Sequence, residues 1–430
     1  MYDWANSAYM TTVAVAVLPL YFAQVIVGEH GVKLFGTVYS SQTLWAFMIS
    51  FAALWAFFCA PVLGAIADFS SSKKKFLMLF CYTGSLFTLL LFFCGSGDVW
   101  RTIVFFIIAQ IGFVGGNVFY DAFLPQISSN DTIDWISGKG FAYGYIGGGI
   151  QFALSLLLIT CHDFFGLSYH LAVRAALAMA GLWWAGFSVI TFIKLKEAPS
   201  NARLPEAYRS MPQPLAYLKI GIVRTITTAR KVRKFKHLLI FLIAFMIYND
   251  GIQTVISMAT IYGKDELKFP DRVLMATLLI IQFIAFFGAL IFSKIAEITS
   301  AKKALMITLL MWSFVCVYAY LMTEAREFFI LGIIVGLAMG GSQALSRSLY
   351  GSMIPAEASA EFYGFYSVFS KFSAIWGPAI FGIIKQVSGS SRNSIVSLIV
   401  FFIVGLIMLM FVNIDKAREA KTSALFSGEY

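Results

Sequence analysis

Apolar positions in this chain gather into twelve long, unbroken runs: 2–26, 42–66, 76–95, 102–124, 141–161, 171–194, 237–262, 273–296, 303–322, 328–353, 362–385 and 394–413. Each is close to the ~20 residues a helix needs to cross a hydrocarbon layer about 30 Å thick. The runs are continuous, without the two-residue alternation of a barrel strand, so an outer-membrane barrel does not fit. The pattern predicts an all-α integral membrane protein with twelve transmembrane helices. The short connectors carry the Gly, Asp, Ser and Lys expected at a bilayer surface. The first run does not read as a cleaved signal peptide, because it is too long, lacks a basic start and contains Asp3 and Asn6.

One connector breaks the rhythm. Residues 195–236 form a long polar stretch with six runs on each side, and hold ten basic residues against Glu197 and Glu206. This divides the chain into a six-helix bundle at 1–194, a basic linker at 195–236, a second six-helix bundle at 237–414 and a tail at 415–430. Composition agrees. Charged residues make up 13% and apolar residues 59%, where a soluble domain has about 25% and 45–50%. A soluble enzyme and a disordered chain are both excluded. The net charge of +10 then reads as basic loops rather than nucleic-acid binding. Placing both termini in the cytoplasm puts 22 Lys and Arg on that side against nine on the other, the asymmetry of the positive-inside rule. In a bacterium this would be the inner, cell membrane. The stretch 219–236 mixes Ile220, Val223, Ile226 and Phe235 with many cations. It reads either as an interfacial helix on the anionic leaflet or as a plain basic linker. The five cysteines (Cys59, Cys81, Cys94, Cys161 and Cys316) are scattered through apolar runs and read as small buried hydrophobes.

The two halves repeat one another. Gly64-Ala-Ile-Ala-Asp68 followed by Lys73 and Lys74 matches Ser293-Lys-Ile-Ala-Glu297 followed by Lys302 and Lys303, at a constant offset of 229 residues. The fourth and tenth runs carry Gly115-Gly116 and Gly340-Gly341, each followed by a proline, Pro125 and Pro355. Gly140-Phe141 likewise matches Gly364-Phe365. Two repeated six-helix units are the architecture of many secondary transporters, with the substrate site between them near mid-membrane.

The loop from Gly64 through Asp68 to Lys73-Lys74 resembles the signature between helices two and three of the major facilitator superfamily. Tyr2-Asp-Trp-Ala-Asn-Ser-Ala-Tyr9, Phe119-Tyr-Asp-Ala-Phe-Leu-Pro125, Gly138-Lys-Gly-Phe-Ala-Tyr-Gly-Tyr-Ile-Gly147, Tyr248-Asn-Asp-Gly-Ile-Gln-Thr254 and Gly341-Ser-Gln-Ala-Leu-Ser-Arg-Ser348 are similar to segments of its vacuole-effluxer branch, which includes autophagy-linked amino-acid effluxers of fungal vacuoles. The resemblance covers nearly the whole chain. It implies the major facilitator fold, two pseudo-symmetric six-helix bundles that rock to expose a central site to either side in turn. It also implies transport of a small solute, with amino-acid export belonging to the fungal members.

Ionisable groups within a span cost about 2.5–3.5 kcal/mol on insertion scales, so each is a functional candidate. Asp250 stands 13 residues into the seventh run, about 20 Å deep at ~1.5 Å per residue. Asn249 and Gln253 flank it. Lys371 is similarly deep in the eleventh run, placed to neutralise Asp250 or to meet a substrate carboxylate. Asp3 and Asn6 are the corresponding residues of the first run. These six form the expected substrate and coupling site; a purely structural role for Asp250 and Lys371 stays open. Asp121 and Arg347 occupy matching places after the two Gly-Gly pairs. In this family's fold their helices belong to opposite halves, so a salt bridge between them would close a gate. Asp68, Lys73, Lys74, Glu297 and Lys302 are expected to lock helix ends and the same gate. Gly140, Gly144 and Gly148 recur every four residues and predict close helix packing. Gly377-Pro378 marks a kink.

The four histidines lie at loops or run ends, and no phosphate-binding glycine loop, metal-ligand motif or catalytic constellation is present. The expectation is a monomeric secondary active transporter, not an enzyme, with no cofactor and no metal. It would move a small polar solute by alternating access, with protons as the candidate coupling ion and the lipid bilayer and substrate as its partners. A multidrug exporter of the same fold and a non-transporting receptor or scaffold acting through the basic linker are the alternatives.

Overall fold

The computed structural model describes residues 1–28, 31–34, 36–197, 208, 210–232 and 235–422. Parts of the basic linker, among them Arg203, Arg209, Arg233 and Lys234, lie outside the described residues, as does the tail beyond 422. The described residues form twelve helices long and apolar enough to cross a membrane. In chain order they are α1 (Tyr2–Val27), α2 (Ser41–Ser70), α3 (Lys73–Phe93), α4 (Val99–Asp121), α5 (Ile133–Thr160) and α6 (Tyr169–Lys194). The linker contributes α7 (Gln213–Val232). Then come α8 (Lys236–Asp265), α9 (Asp271–Ile298), α10 (Ala301–Leu321) and α11 (Ala325–Met353), a span broken into α12 (Ser359–Phe372) and α13 (Trp376–Ser388), α14 (Ser391–Met410) and the tail helix α15 (Ile414–Thr422).

The helices face a medium that is not water. On α2, Leu44, Met48, Ala52 and Ala56 are buried, while Phe47, Phe51, Leu54 and Phe58 form an exposed apolar stripe. Such a stripe is stable against lipid tails and a liability in water. Polar caps mark where several spans begin. Ser168 accepts from the Leu171 N–H at the start of α6, and Ser300 from the Lys303 N–H at the start of α10. Glu324 and Glu327 form a reciprocal capping box on α11.

The chain packs as two compact units. One comprises Met1–Phe58, Ser72–Tyr120 and Tyr143–Ala198; the other comprises Cys59–Ser71, Asp121–Ala142 and Pro199–Tyr430. The linker-side ends of α2, α4 and α5 therefore group with the later helices, where the sequence pattern predicts a boundary at the midpoint. Small residues are the physical reason. A Cβ on Gly64 of α2 would overlap the Ala360 backbone, one on Gly364 would strike the Pro61 backbone, and one on Gly138 of α5 would overlap Ser293. At these points backbones approach as closely as glycine alone allows.

In the first unit, α1 and α3 both pack on α6. Two stretches of α1, Tyr9–Val17 and Phe22–Val27, are wound as π-helix, a local widening frequent at functional sites. A two-stranded antiparallel hairpin, β1 (Val32–Leu34) and β2 (Thr37–Tyr39), joins α1 to α2 with Val32 opposite Tyr39. In the second unit, α11 packs against α9 and α10, and α8 against α14. The tail helix folds back. Lys421 Nζ donates to the Ser352 carbonyl near the end of α11 at 2.9 Å and to Asn130 Oδ1 at 3.4 Å.

Candidate functional site

The most informative local structure is the interruption of the eleventh span. α12 ends at Phe372 and α13 begins at Trp376. Every helix start leaves backbone N–H groups without intrahelical partners. Here Pro378 has no N–H to leave, and Asp250 of α8 takes two of the others. Its Oδ1 accepts from the Gly377 N–H at 2.9 Å and its Oδ2 from the Trp376 N–H at 3.2 Å. A carboxylate at a helix start also meets the positive end of the helix dipole. Beside it, Asn249 Nδ2 donates to Ser373 Oγ inside the break. Thr254 Oγ1 donates to the Asp250 carbonyl at 2.7 Å.

Lys371 sits in the last turn of α12, where a cation faces the negative end of that helix. Among the described residues it makes no hydrogen bond or ion pair. The Asp250–Lys371 pairing considered from sequence is thus replaced by backbone donors on Asp250. The two side chains bracket one break, from the two helix ends. Gln253 is half-buried, one turn along α8, and makes no hydrogen bond among the described residues.

Gly377 is what lets the carboxylate reach. A Cβ there would overlap Thr254 Oγ1 and come within 2.8 Å of Asp250 Oδ1. Gly377→Ala should therefore push the start of α13 off Asp250. The expected loss is about 1–3 kcal/mol, the usual penalty for overpacking, read as a lower unfolding midpoint in detergent. Gly382 lies on the same helix with open space around its Cβ direction, so Gly382→Ala should leave the midpoint unchanged.

The first unit has its own polar ladder along α1. Tyr120 Oη donates to Asp3 Oδ2 at 2.8 Å, Asn6 Nδ2 to Asn117 Oδ1 at 2.6 Å, and Tyr9 Oη to Gln110 Oε1 at 2.8 Å. Thr12 Oγ1 donates to Gln151 Oε1, whose amide donates in turn to Ser155 Oγ at 3.0 Å. Asp3 and Asn6 thus sit in a row of separate hydrogen-bonded pairs between α1 and α4. Gly144 and Gly148 of α5 admit α1 closely. Their Cβ directions meet Ser7 Oγ at 2.9 Å and Ser7 Cβ at 3.0 Å respectively. Gly140 is half-exposed.

The expected Asp121–Arg347 bridge is present. Arg347 Nη1 donates to Asp121 Oδ1 at 3.0 Å, and both side chains are largely buried. Sequence reasoning missed the rest of the clamp. Arg347 Nε donates to Ser137 Oγ at 3.0 Å, and Nη2 to the Ser137 carbonyl at 2.9 Å. The guanidinium lies 4.1 Å from the centre of the Phe141 ring. Ser137 Oγ in turn donates a hydrogen bond to the Ala344 carbonyl at 2.8 Å. One arginine of α11 thereby binds the end of α4 and the start of α5, using the planar fork that lysine lacks.

The remaining loop charges act on helix ends. Asp68, at the end of α2, accepts from the backbone N–H groups of Ala360 at 3.2 Å and Glu361 at 2.8 Å, the first turn of α12. Lys73 and Lys74 offer their backbone N–H groups to Glu197, at 2.7 and 3.1 Å, and Lys74 Nζ donates to the Leu195 carbonyl at 2.8 Å. Glu197 thus caps α3. In the second repeat Glu297 pairs with Lys294 at 2.6 Å. Lys302 instead caps the far end of α14, donating to the carbonyls of Met410 and Val412, each at 2.8 Å. Among the described residues no cluster of His, Cys, Asp and Glu is placed to hold a metal ion.

The model of the vacuole effluxer Atg22-like family matches residues 1–422. The chain belongs to that family. It is 33% identical over 415 residues to the uncharacterized MFS-type transporter YxiO of Bacillus subtilis, covering 96% of this chain and 93% of that one. Autophagy-related protein 22-1 of Penicillium rubens is 27% identical over 298 residues, 66% of this chain. The chain spans about half the length of that fungal relative, 50% of it being covered. Among solved structures, the major facilitator superfamily transporter FucP in the outward conformation matches with a TM-score of 0.68 at 13% identity, over 96% of each chain. That likeness identifies the fold as the major facilitator fold. The protein is an integral, multi-pass membrane protein, and YxiO and FucP are transporters by name rather than enzymes.

Proposed function

We propose that this family member is a secondary active transporter that carries a small polar solute by alternating access. The observation that carries the reading is the broken span. A helix interrupted at membrane depth leaves two backbone ends that need partners, and in hydrocarbon only protein or ligand can supply them. Here α12 and α13 present those ends to each other with Lys371 at one and Asp250 at the other. An amino acid or similar zwitterion carries the complementary charges, its ammonium matching Asp250 and its carboxylate matching Lys371. Protons couple through Asp250: protonation removes the charge that the Trp376 and Gly377 N–H groups hold, and loosens the clamp on α13.

The Asp121–Arg347–Ser137 clamp and the Asp68 cap on α12 serve as the gate on the linker side, the cytoplasmic side by the Lys and Arg distribution. Gly377 and Pro378 provide the hinge.

The test is a ligand-stabilisation screen on purified protein, followed by uptake in proteoliposomes. A solute that binds the folded state at 100 times its Kd stabilises it by about 2.7 kcal/mol, a readily measured shift in unfolding midpoint. An amino acid, peptide or related zwitterion should produce that shift in wild type and not in Lys371→Gln. Stabilisation by hydrophobic cations alone would instead favour the exporter reading. No shift and no uptake with any solute, while loss of the linker abolishes cellular function, would favour a receptor or scaffold.

A further inference from the structure

The linker helix α7 has two unlike faces. Ala216, Ile220, Gly221 and Thr228 are buried, and Gly221 lies against the end of α2. A Cβ on Gly221 would meet the Ile66 side chain at 2.6 Å and the Val62 carbonyl at 3.0 Å, so helix and helix touch through backbone. The Tyr217 ring lies 6.1 Å from that of Phe69. The Arg224 guanidinium sits 5.9 Å above Phe69, and its Nε is 3.9 Å from Glu361 Oε2. The opposite face is apolar and exposed. Leu215, Leu218, Ile222 and Ile226 follow one another at steps of three, four and four, with Val223 beside them. That spacing makes a single stripe. Exposed Lys219 and Arg230 border it on one side, the first within 5.5 Å of the Tyr208 ring centre.

Two features indicate what covers the stripe. Three residues separate Val232 from Lys236, where the next membrane span starts, so at roughly 3.5 Å each the end of α7 stays within about 15 Å of the bilayer boundary. The stripe also carries basic residues on its flank and no acidic ones. A helix with an apolar stripe and basic flank, held at that height, suits the headgroup layer of an anionic membrane.

We propose that α7 is an interfacial helix that seats on anionic lipid and passes that seating to the gate through Arg224. Its target, Glu361, lies in the first turn of α12, and two N–H groups of that turn hold Asp68. Lipid that fixes α7 thus fixes the start of α12 against α2.

The experiment uses full-length protein with its five native cysteines replaced, reconstituted in nanodiscs of phosphatidylcholine alone or mixed equally with phosphatidylglycerol. Spin labels are placed at Leu218→Cys, Ile222→Cys and, as the exposed reference at the helix start, Gln213→Cys. Labels at 218 and 222 should collide several-fold more with oxygen than with an aqueous nickel chelate, relative to 213. The anionic lipid should deepen them and raise the unfolding midpoint. Lys219→Gln with Arg230→Gln should abolish both lipid effects. Arg224→Gln should keep the immersion and lose the rise in midpoint. Labels at 218 and 222 as open to the chelate as at 213 would overturn the proposal, and would direct attention to a soluble protein partner. Immersion and midpoint indifferent to phosphatidylglycerol would overturn it equally.

Discussion

Arg347→Ala should open the linker-side gate. The substitution removes the hydrogen bonds to Asp121 and Ser137 and the ring contact with Phe141 together, and it takes the cation away from the largely buried Asp121 carboxylate. Breaking a buried pair from one side costs about 3–5 kcal/mol. At 1.4 kcal/mol per factor of ten, that shifts a conformational balance by roughly a hundredfold or more. Ala344 reports on it, because it is fully buried and its carbonyl receives the Ser137 hydroxyl. In a background without native cysteines, Ala344→Cys should resist a membrane-impermeant maleimide, and should be labelled rapidly once Arg347→Ala is added. Arg347→Lys should fall between, since an ammonium can serve Asp121 or the Ser137 carbonyl but not hold both and the ring. Asp121→Asn should be milder still, because an amide oxygen can accept from Nη1 without the charge. Labelling that stays at the starting rate in Arg347→Ala would remove the gate from the mechanism.

The second large effect belongs to Asp250. Asp250→Ala leaves the Trp376 and Gly377 N–H groups without acceptors. An unsatisfied buried group costs about 1–3 kcal/mol; the Gly377 bond is buried and the Trp376 bond only partly so, so the loss is that of one buried donor plus a smaller share from the other, enough to lower the unfolding midpoint by several degrees. Asp250→Asn is the sharper probe. It keeps one acceptor oxygen but turns an NH2 toward the other donor, so about half the loss is expected. Its transport phenotype separates anchoring from coupling. Asp250→Asn should bind solute more weakly and should not acidify or alkalinise the vesicle lumen during uptake. Proton-coupled uptake at the wild-type rate would reduce Asp250 to an anchor. An unchanged unfolding midpoint in Asp250→Ala would refute the cap.

The twelve spans were legible because apolar runs of this length have few alternatives, and the Asp121–Arg347 pair because matched positions in two repeats can be counted. What sequence could not reveal is where backbone groups go. Asp68 and Glu197 both bind main-chain N–H groups of helices distant in the chain, and no local pattern announces such acceptors. Ser137 completes the Arg347 clamp as one serine among many. Gly377-Pro378 did signal an irregularity, but the break lies before it, because proline is tolerated in the first turn of a new helix. The option that Lys371 neutralises Asp250, one of two the sequence left open, weighed opposite charges and overlooked the helix start. The π-wound turns of α1 and the short hairpin after it contain too few distinctive residues to stand out.

The tail helix bears on how the protein is handled. Lys421 grips one of the last carbonyls of α11, the helix that carries Arg347. Trimming the chain at 413 to shorten its end for crystallisation would loosen that grip, and a bulky tag fused directly after 422 would pull on it. A long polar spacer before any such tag, or a tag on a loop of the opposite face, would keep expression and thermal-shift screens reporting on the transporter itself.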